Sequence, residues 1–117
     1  MDLRDLVRAL LGFDALAARQ WLADAQRSGL VWAEVPVPLG LDPTELAAAA
    51  GVAELLALRA GQAAPSWTAS VPPSPTRLFL VRAALTMPRL RAACEKDGPE
   101  PLRRRGLLAP PDFLSIA

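Results

Sequence analysis

The spacing of apolar positions predicts helices over most of the chain. Leu3, Leu6, Val7 and Leu10 recur behind Asp2 at the intervals that share one helical face. Gly12 interrupts that run and Asp14 supplies a new N-cap, after which Ala15, Ala18, Trp21, Leu22 and Ala25 form a second broad face ending at Gly29. The two runs predict a helical hairpin over residues 2–29. Alanines allow close approach of a neighbour, and Trp21 is expected to supply most of the buried area.

Residues 42–61 (DPTELAAAAGVAELLALRAG) carry the clearest start and stop signals. Asp42 suits an N-cap, Pro43 the first helical position, Glu45 the return arm of a capping box, and Gly61 the stop. The large apolar residues between them form no single stripe. At about 100° per residue, Leu46 and Leu56 fall on one side, Val52 and Leu55 on another, and Leu58 near a third. A helix apolar all round cannot lie on a surface with one face in water. It is expected to be the central helix of a small bundle or part of a subunit interface.

Elsewhere the pattern is broken by proline. Pro36 and Pro38 exclude a central strand from residues 30–40 and leave at most a short edge strand over residues 31–35. Residues 62–75 hold four prolines among small polar residues, and are expected to form a wrapping connection held by Trp67 and Val71, with a polyproline recognition segment as the alternative. Ser74 and Pro75 read as an N-cap and first helical residue, predicting a helix over 76–85 with Leu78, Val81 and Leu85 inside. Met87-Pro88 restarts the chain as a short helix with Leu90, Ala93 and Cys94 inward, ending near Gly98. Pro101 opens another short turn before Gly106, and Pro110-Pro111 forces the tail to extend. The expected fold is all-α: a single helical bundle of four to six helices over residues 1–117, with a long Pro-rich connection, basic helices in 75–117 and an extended C-terminal tail.

Composition narrows what such a fold can do. At 117 residues there is room for one core. Although 52% of the residues are hydrophobic, no apolar run approaches the roughly 18 residues of a membrane span. The first residues lack the pattern of a secretion signal, and a single cysteine excludes a disulfide framework, so a cytoplasmic location is expected. Twelve arginines against one lysine reflect coding bias more than phosphate binding. Residues 1–74 carry a formal charge of −3 and residues 75–117 of +4, an asymmetry that suits docking between the halves or an acidic partner.

Catalytic chemistry has little to work with. There is no histidine and no tyrosine, no zinc-ligand spacing and no phosphate-binding glycine loop. Cys94 stands on an apolar helical face with nothing to activate it, as a buried structural thiol would. Several carboxylates sit at helix starts, where capping accounts for them, and Glu54 and Asp24 are expected to pair with arginines. No catalytic residue, metal ligand or cofactor site is therefore assigned.

Two binding signals remain. Residues 44–52 (TELAAAAGV) resemble the opening of a helix-turn-helix unit, but residues 53–60 offer only Glu54 and Arg59 to a DNA groove, so one continuous helix through Gly51 is the expected form. The near-neutral charge also disfavours nucleic acid. The second signal is Arg103, Arg104 and Arg105, expected to splay outward from one turn, followed by the apolar Phe113, Leu114 and Ile116. Together they read as a protein contact.

Residues 18–25 (ARQWLADA), 65–68 (PSWT) and 100–114 (EPLRRRGLLAPPDFL) resemble a group of small bacterial proteins with an ARQWxADA helix, a PxWT segment and an EPLRRRxxxAPPxFL tail. The resemblance spans nearly the whole chain and implies a partner-binding role in toxin–antitoxin-type pairs beside nucleotidyltransferase-like genes; it transfers no catalytic residue. The sequence thus points to a non-catalytic, protein-binding module. The alternatives are a DNA-binding regulator using residues 44–60 and a self-associating structural protein.

Overall fold

The helix at the centre of the chain has the termini its sequence prescribes. In a computed structural model, which describes residues 2–115, α3 spans Pro43–Arg59 as one uninterrupted helix. Asp42 Oδ1 accepts from Glu45 N at 2.8 Å, and Glu45 Oε1 accepts from Asp42 N at 3.0 Å, which completes the capping box. At the other end Gly61 takes φ +67, Gly61 N donates to Leu58 O and Gln62 N to Ala57 O. That pair of bonds is a Schellman stop.

Ala47 through Ala53 are buried in sequence, as are Leu55 and Ala57. Burial of consecutive residues on a helix means that neighbours cover every side of it. One flank is covered by α1 (Leu3–Leu11), which packs against α2 (Ala15–Ser28) as the expected hairpin. Another receives α5 (Glu100–Arg103), and two short 3-10 turns at Trp32–Glu34 and Ser66–Ser70 close the rest. The apolar character of α3 is thus accounted for within a single chain except in its last turn, where Leu58 is 69% exposed.

Gly51 marks the closest approach. A Cβ built there would stand 2.6 Å from Leu102 Cδ2 and 3.1 Å from Pro101 O, so the missing side chain is what lets α5 seat on α3. In an isolated helix Gly51→Ala would stabilise by about 1 kcal/mol. Here Leu102 is fully buried and cannot yield, and overpacking costs about 1–3 kcal/mol. The expected outcome is the reverse sign, a net loss of about 1 kcal/mol in the urea unfolding free energy.

The tryptophans divide their tasks differently from the expectation. Trp32, in the connection, is the buried one, while Trp21 is half-buried beside it with ring centroids 6.2 Å apart. Trp21 Nε1 donates to Asp2 O at 2.9 Å, tying α2 to the start of α1. Residues 31–35 hold a 3-10 turn instead of an edge strand. The Pro-rich connection is a packed one: Pro65 and Thr68 are buried, and Trp67 Nε1 donates to Val35 O at 2.9 Å.

The helix expected over residues 76–85 does not form, and with it goes a purely helical architecture. Leu78–Phe79 (β1) instead pairs in parallel with Leu107–Leu108 (β2), Leu78 opposite Leu107 and Phe79 opposite Leu108. Leu78 N donates to Gly106 O at 3.0 Å and Leu80 N to Leu108 O at 2.8 Å. The Ser74 hydroxyl closes a local turn by accepting from Thr76 N at 3.2 Å, so the cap-like Ser-Pro pair starts a turn. Leu80 becomes the buried residue, whereas Leu85 lies half exposed in a 3-10 turn spanning Arg82–Leu85. α4 (Pro88–Asp97) restarts after Met87 as the sequence predicts, with Cys94 inward. The molecule is a mostly helical single unit with one two-stranded parallel ladder.

Candidate functional site

The basic turn is the natural place to look for a contact, and its three arginines point in different directions. Arg103 donates to Lys96 O and, at 2.8 Å, to Glu100 Oε2, which ties α4 to α5. Arg104 is half exposed and bonds Glu54 of α3. Arg105 turns inward and is only 4% exposed. Its guanidinium meets Glu54 in a two-pronged arrangement, Nη1 to Oε1 at 2.6 Å and Nη2 to Oε2 at 3.1 Å. The same two nitrogens donate to Pro101 O at 2.9 Å and Thr68 O at 3.0 Å. The expected outward-splaying patch is therefore replaced by a polar staple that fastens the turn and the Pro-rich connection to α3.

Glu54 is nearly buried, and burial alone would raise its pKa. Hydrogen bonds from Arg105, with the charges of Arg105 and Arg104, outweigh that effect and hold the carboxyl below its usual value. A carboxylate with a depressed folded-state pKa contributes stability that is present above its unfolded pKa and lost as pH falls through the folded value. Below about pH 4.3 the wild type is therefore expected to lose more unfolding free energy than Glu54→Gln does. Urea midpoints measured between pH 7 and pH 3 on both proteins check this. Asp24 also finds its arginine, Arg27, on the same helix face.

The tail has a core-facing part and an outer part. Leu107, Leu108 and Ala109 are buried, and Phe113 is 8% exposed among the core side chains. Arg59, at the end of α3, holds the bend by donating to Phe113 O and, at 3.2 Å, to Pro111 O. Leu114 is half-buried with φ +63, a left-handed conformation that a bulky residue adopts only under constraint. Ile116 lies outside the described residues.

Two open grooves flank this bend, and both include Leu22, Leu114 and Ser115 in their walls. The first, of about 490 Å³, runs between the α1–α2 hairpin and residues 80–83. The second, of about 480 Å³, lies between the C-terminal ends of α2 and α3 and is lined by Leu30, Val31, Trp32 and Leu56, with Gln26 and Gln62 at its margin. Val31 is half exposed there. No sequence signal marked either groove, because each is assembled from segments far apart in the chain.

Residues 44–59 are continuous helix with no break at Gly51, so the helix-turn-helix geometry is absent and the would-be recognition residues Val52, Ala53, Leu55 and Ala57 lie in the core. Cys94 is fully buried, and burial pushes its thiol pKa up, away from the nucleophilic thiolate. Among the described residues no cluster of three or more acidic, cysteine or histidine side chains is arranged to hold a metal ion. No helix there is long and apolar enough to cross a membrane. What fold and surface define is a small helical unit with a basic turn whose three arginines pair internally with Glu54 and Glu100, and two surface grooves beside its tail. No family model, curated protein or solved structure matches the chain.

Proposed function

We propose that this protein is a non-catalytic, cytoplasmic protein-binding module, an antitoxin-like or regulatory partner of a bacterial enzyme, whose contact face is the second groove. The observation that carries the reading is an open apolar trough lined by Leu30, Val31, Trp32 and Leu56, rimmed by Gln26, Gln62 and the outer tail residue Leu114. An apolar and aromatic centre with a polar margin is the composition of a protein contact. An open trough built from several segments suits an extended or helical polypeptide. Of the residues singled out in the sequence, Leu114 stays at the contact; Arg103, Arg104 and Arg105 support the scaffold, and Phe113 backs it from the core.

Deleting residues 107–117 would remove β2 and Ala109 from the core, so the contact is better tested by substitution at exposed positions. Val31→Asp combined with Ala60→Arg changes two groove-lining residues on the surface. The variant is expected to keep its circular dichroism spectrum and to lose the stoichiometric partner that the wild type recovers from a lysate of its native cell. Arg103→Ser with Arg104→Ser should retain that partner. The opposite pattern would return the contact to the basic turn, and the absence of any stoichiometric partner would end the reading.

A further inference from the structure

The first groove differs from the second in the charge at its mouth. Ala18 and Leu22 of α2 lie on its wall with Leu80, and Phe113 contributes from the tail. Alanines at positions where larger side chains would fill the space leave about 490 Å³, within the roughly 300–1,000 Å³ of pockets that hold small molecules. At the opening, the Arg82 guanidinium sits 5.2 Å from the centre of the Phe13 ring, which positions the charge beside the apolar wall. Arg19 lies on the same lining. Neither arginine has a carboxylate partner among the described residues, a state they share with Arg59, Arg89 and Arg91; what sets them apart is that both line one apolar groove. The Asp14 carboxylate lies on the same lining, turned to the α2 cap where it accepts from Ala17 N at 3.0 Å, so the formal charge of the lining is +1.

Backbone strain falls at the same place. Phe13 has φ +57 and Leu114 φ +63, the two non-glycine residues in the left-handed region among those described, and both line this groove. Strained conformations concentrate at ligand clamps, where surrounding structure holds them. An open apolar groove, two arginines without a carboxylate partner among the described residues and two lips in the left-handed conformation converge on one chemistry.

We infer that this groove binds a small amphiphile with a carboxylate head, its hydrocarbon chain lying against the half-exposed Phe13, Val81 and Leu114 over a floor of Ala18, Leu22 and Leu80, and its carboxylate reaching Arg82 and Arg19. A neutral chain would cover the wall and leave the cations unanswered. A cationic chain would be repelled. The site shares Leu22, Leu114 and Ser115 with the proposed protein contact, so the two are told apart by residues that each has alone: Arg19, Arg82 and Ala83 here, Val31 and Ala60 there.

The probe is decanoate, titrated below its micelle concentration into the full-length ¹⁵N-labelled protein, with decanol and decyltrimethylammonium as comparators. Decanoate is expected to shift the amides of Ala18, Leu80 and Val81 saturably and to bind about fivefold tighter than decanol by calorimetry. Arg19→Gln with Arg82→Gln should remove that preference and leave decanol binding unchanged. Ala83→Trp places an indole at an exposed position of the lining and should abolish saturable binding; if it fails to fold, the arginine pair decides. Val31→Asp with Ala60→Arg should bind decanoate like the wild type. Saturable binding of none of the probes, equal affinity for decanoate and decanol, a preference that survives loss of both arginines, or shifts confined to the second groove would each overturn the inference.

Discussion

Glu54→Ala is expected to destabilise the protein by about 3–5 kcal/mol, the cost of leaving a buried charge without its partner. Arg105 would remain 4% exposed beneath α3, with only the Pro101 and Thr68 carbonyls to accept from it. Such a loss is a large part of the roughly 5–15 kcal/mol that stabilises a typical domain. The more informative protein is the double variant Glu54→Leu with Arg105→Met. Two charges removed together no longer need mutual compensation, so most of the single-variant loss should return. Arg105 Nε has no hydrogen-bond partner among the described residues, so the double change also removes one buried orphan donor. Full recovery is not expected, because the Pro101 and Thr68 carbonyls lose their donors. Urea unfolding of Glu54→Leu, Arg105→Met and the double variant gives the coupling energy directly. A coupling close to zero would show that the pair is not the fastening described above.

Gly98→Ala is the second large effect, at about 3 kcal/mol. Gly98 closes α4 with φ −61 and ψ 156, a conformation open to any residue, so the need for glycine there is one of space. A Cβ would lie 2.5 Å from Cys94 O and 2.7 Å from Ala109 O. Both obstacles are backbone atoms, one in the last turn of α4 and the other just after β2, and neither can rotate away. Relief requires α4 to move off the strand pair and open the small cluster of Ala84, Cys94 and Leu108. The variant should therefore also expose Cys94, and faster labelling by a thiol reagent, measured beside the unfolding free energy, would distinguish this local opening from uniform destabilisation. At Gly51 the closest obstacle is a side chain, and the expected loss is smaller for that reason.

Much of the helical framework is legible in the sequence because its signals act over three or four residues. Asp2, Asp14 and Asp42 each accept a backbone N–H in the first turn of the helix they precede. Pro88 opens α4, and Gly29 and Gly61 close α2 and α3 in the left-handed conformation. The same local logic misled at Ser74-Pro75. A cap-like pair predicts a helix only if no distant strand offers better partners, and Leu107–Leu108 supplies them for Leu78–Phe79.

The candidate site was less legible. The apolarity of Phe113 and Leu114 singles them out in the sequence, but the grooves beside them depend on the approach of α1, α2, α3 and residues 80–83, which no single segment encodes. The arginine run shows the limit most clearly. Three adjacent arginines are identical as sequence signals, and an outward turn is their default because burying a charge is costly.

By itself, then, the sequence determined where the helices begin and end, that α3 would be apolar on every side, and that histidine and tyrosine chemistry is absent. Tertiary structure alone decided which arginine turns inward, which residues pair as strands and where the surface opens into grooves. The physical reason is the range of the interactions. Caps and helical periodicity act between neighbours in the chain, whereas Arg105 is held by Glu54 from 51 residues away, a partner that only the packing of α5 against Gly51 brings within reach.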